Sequence, residues 1–328
     1  MTEHSRAGFS APPTVSFVVL NWHNEVATRA CVNSILALEA PMPIEIIVVD
    51  NETNLGSREA LADGPWRLIC LDHNEGFAGG MNAGASTARG AYLALLNNDL
   101  ILEPDWLEHA LDASADDAVG IVGGRDDHSA LPIIDPSGSF WLSNVETPCC
   151  SVAAVDGGQL FIKSTLWKQL GGFDEDFFAY HEDLDLCARA LALGWRVVYD
   201  PDLRAVHQRG LSSNRVRWKR AFWARRNRLI WLTKHFPAGA WRRAVGLAML
   251  EYARQVVFGL PGKPALSRES TEARGGSFAT LVWVVLNARW LARKRRGNVD
   301  SHQYDEGYQD FLRATYSRWD QNASHLGK

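Results

Sequence analysis

The chain has few cysteines, and none has the spacing of a metal or redox motif. The 328 residues include five, at positions 31, 70, 149, 150 and 187, and no two of them form CxxC. Structural zinc sites and thioredoxin-like motifs are built on that spacing, so neither is predicted. Cys31, Cys70 and Cys187 lie in apolar stretches, where a free thiol packs as a small hydrophobic group. We therefore expect a reducing, cytoplasmic compartment.

Long apolar runs are also missing. A membrane-spanning helix needs roughly 20 apolar residues, and the nearest run, Phe278 to Leu286, is too short. The first residues, MTEHSRAGFSAPP, lack the apolar core of a secretory signal. We expect a flexible N-terminus over residues 1–13 and a protein that is cytoplasmic or peripheral on the inner face of the cell membrane.

Two common nucleotide-binding motifs are absent. GxxxxGK[ST] occurs nowhere, and the glycine cluster NEGFAGGMNAG does not follow a strand–turn of the dinucleotide-binding form. A P-loop NTPase and a Rossmann dehydrogenase are therefore poor explanations.

Charge is segregated along the chain. Residues 1–206 carry 11 Lys and Arg against 30 Asp and Glu, whereas residues 207–328 carry 23 against 8. The apolar fraction of 46% is that of an ordinary globular protein. Two parts of opposite sign suggest two roles, and the basic part should face an anionic partner.

Apolar runs alternate with amphipathic segments over the first hundred residues. The predicted strands are Val15–Leu20, Ile44–Val49, Trp66–Leu71 and Tyr92–Leu96, and the predicted helices are Glu25–Leu38, Ser57–Ala62 and Met81–Arg89. The residues Asn74 to Gly80 are predicted as a loop. Near-continuous apolar strands in a β-α-β-α-β-α-β order are typical of a parallel sheet that is covered on both faces.

Polar residues follow three of these strands, at Asn21, Asp50 and Asn97–Asp99. Strand ends of an open α/β sheet are where nucleotides bind. A carboxylate flanked by amides, as Asp99 is, suits a hard divalent cation that also holds phosphates. By itself the Asn-Asn-Asp triplet is also explained as a turn.

A second acidic cluster lies within FDEDFFAYHEDLDLCAR, residues 173–189, at the start of a predicted helix. Glu182, Asp183 and Asp185 crowd its first turn, which the helix dipole explains only in part. Crowded carboxylates shift one another's pKa values. Further along, His207 ends a strand-like segment, where it is either structural or a ligand. The stretch Arg125 to Val152 is predicted to be a loop.

The basic part interleaves Trp, Phe and Leu with Arg and Lys from Arg215 onward, with amphipathic stretches at Ala240–Phe258 and Phe278–Arg296. Basic helices of this kind lie on anionic membranes. A helical packing subdomain with a charged, solvated face is the alternative. Nucleic acid is not expected as a partner, because no recognition module accompanies the charge.

Taken together, six segments resemble the inverting family 2 glycosyltransferases of the rhamnosyltransferase-like subgroup. They are VSFVVLNWHN, IIVVDNETNLGS, NEGFAGGMNAG, YLALLNNDLIL, GGQLFIKSTLWKQLGGFDEDFFAYHEDLDLCARALALGW and VHQRG. The resemblance covers roughly residues 14–210. It implies an α/β GT-A fold, Rossmann-like with a mostly parallel sheet flanked by helices, as the catalytic domain over 14–210. The basic, aromatic-rich helical extension over 211–328 would then face the membrane or the acceptor.

The resemblance also implies residue roles. The donor nucleotide-sugar would be bound by Asn21, Asn24, Asp50, Asn74, Gly76, Phe77, Asn82, Asn97 and Asn98. Asp99 and His207 would hold a divalent cation, Mg²⁺ or Mn²⁺. Asp183 would be the catalytic base, with Glu182 orienting it or the acceptor. This chain departs from the family at Asn97 and Asn54, where Asp is frequent. The resemblance therefore implies a modest metal affinity, and it assigns no donor contact to Asn54.

The implied activity is inverting transfer of a sugar, rhamnose from dTDP-rhamnose or a sugar from a UDP- or GDP-donor, to a lipid-linked or cell-surface saccharide. A nucleotidyltransferase is one rival, but Val15–Asn24 lacks the basic glycine-rich loop of such enzymes. A non-catalytic carbohydrate- or membrane-binding scaffold is the other, and the presence of Asp99, Asp183 and His207 argues against it.

Overall fold

The computed structural model describes residues 14–40, 42–52, 55–127, 131–134, 140–143, 148–208, 217–236, 238–260 and 268–297. The chain divides into two compact units. The first comprises residues 1–132, 142–178 and 182–212, and the second comprises residues 133–141, 179–181 and 213–328. Asn54 lies outside the described residues, as do residues 1–13.

The first unit is built on a nine-stranded sheet flanked by helices. Its strands are β1 (Val15–Asn21), β2 (Ile44–Asp50), β3 (Arg67–Cys70), β4 (Tyr92–Asn97), β5 (Leu100–Leu102), β6 (Val119–Asp126), β9 (Cys150–Ser151), β10 (Gln159–Lys163) and β11 (Arg196–His207). Strands β7 (Leu131–Ile134) and β8 (Phe140–Ser143) pair only with each other. The helices are α1 (Glu25–Leu36), α2 (Leu55–Ala62), α3 (Gly76–Ser86), α4 (Trp106–Ala113), α5 (Ser164–Leu170) and α6 (Glu182–Ala192).

The main sheet is mixed. Its order is β3-β2-β1-β4-β10-β6-β11-β5, with β9 also on β11. Neighbours from β3 to β4 are parallel, as predicted for the N-terminal β-α-β-α-β-α-β run, and β6 is parallel to β11. Strand β10 is antiparallel to both its neighbours, and β5 and β9 are antiparallel to β11. The predicted α/β fold class is therefore confirmed, with parallel pairing concentrated in the N-terminal part.

Apolar side chains of the central strands and α4 form the core. Phe17, Trp106 and Phe161 are fully buried, and the ring of Trp106 contacts Phe17 in a tilted arrangement at 6.0 Å and Phe161 edge-on at 6.1 Å between ring centroids. The Trp106 Nε1–H donates to Gln159 Oε1 at 2.9 Å, so the one polar atom of this indole is satisfied. Cys31 and Cys187 are buried as expected, but the expectation for Cys70 was wrong because it is exposed on edge strand β3.

Helix α3 corrects one sequence prediction. The residues Asn74 to Gly80 were predicted as a loop because glycine is a poor helix former, yet α3 begins at Gly76. The glycines allow the helix to lie close against the sheet. A Cβ on Gly80 would approach Leu20 Cδ1 to 2.4 Å, and one on Gly84 would approach Val18 Cγ1 to 2.4 Å.

The loop predicted over Arg125 to Val152 is a second correction. Strand β6 continues through Arg125 to Asp126, and the described parts of the stretch include β7, β8 and β9. Their short, interrupted apolar runs gave no usable period in the sequence, because the pairing that forms them is with distant strands or with each other.

The second unit contains three long helices, α7 (Arg217–His235), α8 (Ala238–Phe258) and α9 (Arg268–Gly297), the last kinked at Asn287. Gln255 Oε1 accepts hydrogen bonds from Arg225 on α7, at 2.9 and 3.0 Å, and from Ser277 on α9, at 2.7 Å. Trp231 is fully buried. The aromatic residues of α7 are therefore packing surface only in part, because Trp218 is 52% exposed. Within the described residues no helix is long and apolar enough to cross a bilayer.

Three residues before α6 belong to this second unit. Asn227 Nδ2 donates to the carbonyls of Ala179 and Tyr180, at 2.8 and 2.6 Å. Tyr180 and His181 both have positive φ, at 74° and 73°, a strained backbone that the Asn227 contacts help to hold. Burial, followed by the charge of Arg228, lowers the pKa of His181 to about 3.

Candidate active site

Polar strand ends meet at one edge of the sheet, as predicted. In the β1–β2 register Asn21 lies opposite Asp50, and in the β1–β4 register Leu20 lies opposite Asn97. The carboxyl ends of these three parallel strands therefore place the predicted site residues side by side.

Asp50 presents one free carboxylate oxygen at this edge. Its Oδ1 accepts hydrogen bonds from Asn21 Nδ2 at 3.0 Å and Ser57 Oγ at 2.9 Å. Its Oδ2 is buried and has no hydrogen-bond partner among the described residues. Burial raises the pKa of Asp50, against the lowering effect of hydrogen bonds from Asn21, Ser57 and the Glu52 backbone. A buried acceptor without a donor is costly unless a ligand N–H completes it.

Asn24 and Asn98 are tied to the same edge through Thr28. Asn98 Nδ2 donates to Thr28 Oγ1 at 2.9 Å, and Thr28 Oγ1 donates to Asn21 Oδ1 at 2.7 Å. Asn24 Oδ1 caps α1 by accepting from Ala27 N at 3.2 Å. These buried amides join β1, α1 and the end of β4 into one rigid network. In Asn24 the Nδ2 group is buried without a partner in the described part of the chain and is the atom left for a ligand.

Asn51 organises the loop before α3, a role that the sequence analysis missed. Its Nδ2 donates to Gly76 O at 2.9 Å and its Oδ1 accepts from Glu75 N at 2.9 Å. Asn74 Oδ1 accepts from Gly76 N at 2.8 Å, which starts the helix. Gly76 has φ of +76°, and a Cβ there would lie 2.3 Å from Phe178 O, so no other residue fits. The available signal was a polar residue directly after Asp50 at a strand end.

Phe77 and Asn82 face the segment that leads towards α6. Asn82 donates through Nδ2 to Phe173 O at 3.0 Å and Glu175 Oε1 at 2.9 Å, and accepts from Phe173 N at 2.9 Å. The Phe77 and Phe173 ring centroids are 5.9 Å apart. Both amide hydrogens of Asn82 are therefore used within the protein, and the donor contact predicted for it stays a prediction.

Asp99 and His207 are brought together by strand pairing. Strand β5 runs antiparallel to β11 with His207 opposite Leu100, and Gln208 N donates to Asp99 O at 2.7 Å. This places His207 Nε2 3.1 Å from Asp99 Oδ1. The other ring nitrogen, Nδ1, lies 2.7 Å from Oδ2 of Asp126, a residue that the sequence analysis placed in a loop and did not select.

Two neighbouring carboxylates stabilise the protonated form of His207. Burial acts to lower its pKa, but hydrogen bonds to Asp126 and Asp99 outweigh burial and raise the pKa to about 9. Carboxylate and imidazole are ligands for divalent first-row cations, and a second carboxylate on the far ring nitrogen is the usual support for a histidine ligand. A metal binds only the neutral imidazole, so a cation must displace the Nε2 proton that is shared with Asp99, and without that proton the donor set fits a divalent cation. The set of protein ligands is small, because within the described residues no group of three or more His, Cys, Asp or Glu is arranged to hold a metal. Oxygens of a bound ligand would have to complete the shell.

Asp183 is linked to the Asn97 end of β4 through residues Asp156 to Gly158. Gly157 N donates to Asp183 Oδ2 at 2.8 Å, while Gly158 O accepts from Asn97 N at 2.8 Å. A Cβ on Gly157 would lie only 3.1 Å from Asp183 Cβ, which explains the glycine. Leu184 N donates to Asp183 Oδ1 at 2.8 Å, so both carboxylate oxygens are oriented by backbone.

The environments of the two neighbouring carboxyl groups differ. Burial and then the negative charge of Asp156 raise the pKa of Asp183 to about 7. Burial and then the charge of Asp183 raise the pKa of Glu182 well above its usual value, and its Oε2 is buried with no partner in the described chain. Near neutral pH, Asp183 is therefore poised to accept a proton, whereas the raised pKa of Glu182 favours its protonated form, which can donate a hydrogen bond. Asp185 pairs with Arg189 at 2.7 Å and is structural.

Replacing Asp156 tests this electrostatic coupling. Asp156 Oδ1 accepts from Gly158 N at 2.6 Å, and Asp156→Asn keeps that acceptor while removing the charge. We expect the pKa of Asp183 to fall, by about one unit. A base works only when deprotonated, so the acidic limb of the kcat–pH profile should move to lower pH by the same amount. Asp112→Asn, an exposed carboxylate on α4, is the control. An unmoved acidic limb in Asp156→Asn would contradict the coupling.

Comparison with known sequences agrees with this geometry. The family model described as "Glycosyl transferase family 2" matches residues 16–148. The chain is 27% identical over 226 residues to the O-antigen biosynthesis protein RfbC of Myxococcus xanthus, covering 61% of this chain and 18% of that protein. It is 29% identical over 185 residues to the dTDP-rhamnosyl transferase RfbF of Shigella flexneri, covering 52% of this chain and 62% of that protein.

Two further proteins are similar to this chain, one in sequence and one in fold. The N-acetylglucosaminyl-diphospho-decaprenol L-rhamnosyltransferase of Mycobacterium tuberculosis strain H37Rv is 38% identical over 64 residues, 20% of this chain and 21% of that protein. The chain thus spans less than two thirds of these relatives. The mannosyltransferase PcManGT from Pyrobaculum calidifontis, solved with GDP-Man and Mn²⁺, has a TM-score of 0.54 at 18% identity, covering 95% of this chain and 88% of that one. That likeness shows a shared fold.

Proposed function

We propose that this chain, whose residues 16–148 match the family model of glycosyl transferase family 2, is an inverting glycosyltransferase that uses a nucleotide-diphosphate sugar. The observation that carries the proposal is Asp183. A carboxylate with a pKa of about 7, oriented by two backbone N–H groups, is the general base that a hydroxyl acceptor requires.

The donor would lie along the sheet edge. Asp50 Oδ2 and Asn24 Nδ2 offer a buried acceptor and a buried donor for the edge of a pyrimidine. Asn51 fixes the loop of Asn74, Gly76 and Phe77, which would close over the sugar and phosphates. A divalent cation, Mg²⁺ or Mn²⁺, held by Asp99 and His207 with Asn97 and Asn98 adjacent, would neutralise charge on the diphosphate leaving group.

Inversion follows from the residues available. Asp183 would take the proton of the acceptor hydroxyl while that oxygen attacks the anomeric carbon from the face opposite the diphosphate. Glu182, protonated, would hold the acceptor by donating a hydrogen bond. No covalent enzyme intermediate is needed, because the base acts on the acceptor and a single displacement inverts the anomeric configuration.

We propose dTDP-rhamnose as the donor and a lipid-linked saccharide as the acceptor. RfbF is named a dTDP-rhamnosyl transferase, and the mycobacterial relative is named for a diphospho-decaprenol acceptor. A lipid-linked acceptor places the protein on the cytoplasmic face of a membrane, with residues 14–210 as the catalytic domain and residues 211–328 towards the anionic lipid surface. Such a role would belong to polysaccharide synthesis at the cell envelope.

Thermal unfolding with a panel of donors tests the assignment. We expect dTDP-rhamnose with Mg²⁺ or Mn²⁺ to raise Tm by several degrees, since a ligand at 100 times its Kd stabilises a protein by about 2.7 kcal/mol. UDP- and GDP-sugars should give smaller shifts, and EDTA should reduce all of them. Transfer to a polyprenyl-diphosphate-linked saccharide is then assayed with the best donor. If no nucleotide-sugar shifts Tm and none is consumed, the proposal is rejected, whereas a preference for UDP or GDP changes only the donor.

A further inference from the structure

Among the residues that the structure describes, two helices of the second unit have exposed apolar stripes. On α8 the stripe contains Leu247, Leu250, Val257 and Phe258, with the exposed Arg243 and Arg254 at helical spacing on the same side. On α9 it contains Phe278, Val282, Val285 and Leu286, followed one turn later by the exposed Arg289 and Arg293. The eight apolar side chains are between 41% and 78% exposed. A soluble helix normally turns such a face inward.

The opposite faces of both helices are already used for packing. On α8, Ala244, Ala248 and Tyr252 are buried, and on α9, Ala273 and Thr280 are buried. The side chains of the exposed stripes are therefore separate from those that form the core of the unit.

The stripes lie next to each other. The Arg274 Nη2 group donates to Val257 O at 3.3 Å, so the beginning of the α9 stripe adjoins the end of the α8 stripe. Neither stripe contains an acidic residue. Glu251, which borders the α8 stripe, is paired with Arg228 at 2.9 Å.

We propose that this surface, the α8–α9 stripe pair, docks onto an anionic lipid membrane. Apolar side chains with arginines on the same helix side match a surface that is apolar inside and negatively charged outside. Residues 207–328 carry 23 Lys and Arg against 8 Asp and Glu, which adds long-range attraction to such a surface. A second copy of the chain fits less well, because residues 207–328 of each copy carry 23 Lys and Arg against 8 Asp and Glu and would repel one another.

The docking surface deepens the proposed function and rests on it only for the choice of a lipid-linked acceptor. It also covers only part of the sequence-based expectation, which named the basic stretch from Arg215 as well as Ala240–Phe258 and Phe278–Arg296. On α7, Leu229, Ile230 and Trp231 are buried. The membrane-facing helices are α8 and α9.

Vesicle sedimentation tests the surface directly. The full chain is mixed with vesicles of phosphatidylcholine alone or of an equimolar mixture of phosphatidylcholine and phosphatidylglycerol. We expect binding to the mixed vesicles, weakened by salt, and little binding to phosphatidylcholine. The double variant Val285→Glu/Leu286→Glu should bind the mixed vesicles on the order of 10-fold more weakly. Val26→Glu, at a comparably exposed apolar residue of α1 in the first unit, should bind like the wild type.

The same variants separate docking from catalysis. Both should keep the far-UV circular dichroism and the donor-induced Tm shift of the wild type, so loss of vesicle binding with an intact donor response concerns the surface alone. The proposal is overturned if the wild type ignores anionic vesicles, or if Val26→Glu weakens binding as much as the α9 variant. It is equally overturned if the wild type forms a dimer that the α9 variant abolishes, without vesicle binding, because the surface would then contact a second copy.

Discussion

Asp183→Asn should reduce kcat by roughly 10²–10⁴-fold, the usual contribution of a general base. Gly157 N and Leu184 N each donate a hydrogen bond to the carboxylate at 2.8 Å and so fix its orientation. An amide has almost the same shape but cannot take up a proton from the acceptor hydroxyl. Donor binding should stay within a few-fold, because Asp50 and the Asn51-held loop are untouched. Steady-state transfer kinetics and calorimetry with the donor nucleotide measure the two quantities separately.

The amide does introduce one structural change that needs a control. Asparagine has one acceptor oxygen, so it can satisfy only one of the two backbone N–H groups that Asp183 accepts. Thermal unfolding must therefore show that the variant is folded before its rate is interpreted. Asp176→Asn, an exposed acidic residue shortly before α6, should retain full activity. Near-wild-type turnover in Asp183→Asn would remove Asp183 from the base role, and loss of both turnover and nucleotide binding would indicate a structural role.

The N-terminal fold was predictable because its information is local. Strands β1, β2 and β4 are short apolar runs that end in polar residues, and parallel pairing of such runs follows from the helices between them. The register that sets Asn21 opposite Asp50 is then a direct consequence of strand order. Helix α3 was placed late because the reason for its glycines, close approach to Leu20 and Val18, is a tertiary contact.

The residues that the sequence did not reveal act through long-range pairing. Asp126 matters because β6 and β11 run side by side and bring it to His207 Nδ1, some 80 residues apart in sequence. Asp156 matters because it is next to Gly157, whose backbone N–H donates a hydrogen bond to Asp183. Neither residue sits in a local pattern that indicates chemistry. The sequence predicted that the crowded carboxylates shift one another's pKa values, but it did not reveal the parts played by burial and by Asp156 in raising the pKa of Glu182 and Asp183.

The second unit shows a limit of sequence periodicity. The basic stretches over 215–234, 240–258 and 278–296 all suggested membrane-facing helices, yet on α7 Leu229, Ile230 and Trp231 are buried and Arg225 bonds inward to Gln255. Periodicity alone does not tell which of two faces is buried when both contain apolar residues. The exposed fractions of Val285 and Leu286, 75% and 78%, supplied that information.

Asp99→Ala should remove the metal-dependent part of donor binding. Asp99 contributes the only carboxylate that contacts His207 Nε2 within the described residues, and without it the imidazole keeps only Asp126 on its other nitrogen. Loss of outer-shell support alone typically weakens metal binding 10–100-fold, so loss of a ligand should weaken it by at least about 100-fold. Calorimetry of dTDP binding with Mg²⁺ or Mn²⁺, compared with EDTA, measures this term.

The comparison carries its own control. In EDTA the variant and the wild type should bind dTDP equally, because the contacts proposed between the nucleobase and Asp50 and Asn24 do not involve Asp99. Glu103→Ala, an exposed carboxylate four residues further along the chain, should keep the full metal dependence. Equal metal enhancement in Asp99→Ala and the wild type would place the cation elsewhere and separate His207 from any metal role. Weakened binding in EDTA would instead show that Asp99 shapes the strand end itself, since Gln208 N is bonded to its carbonyl at 2.7 Å.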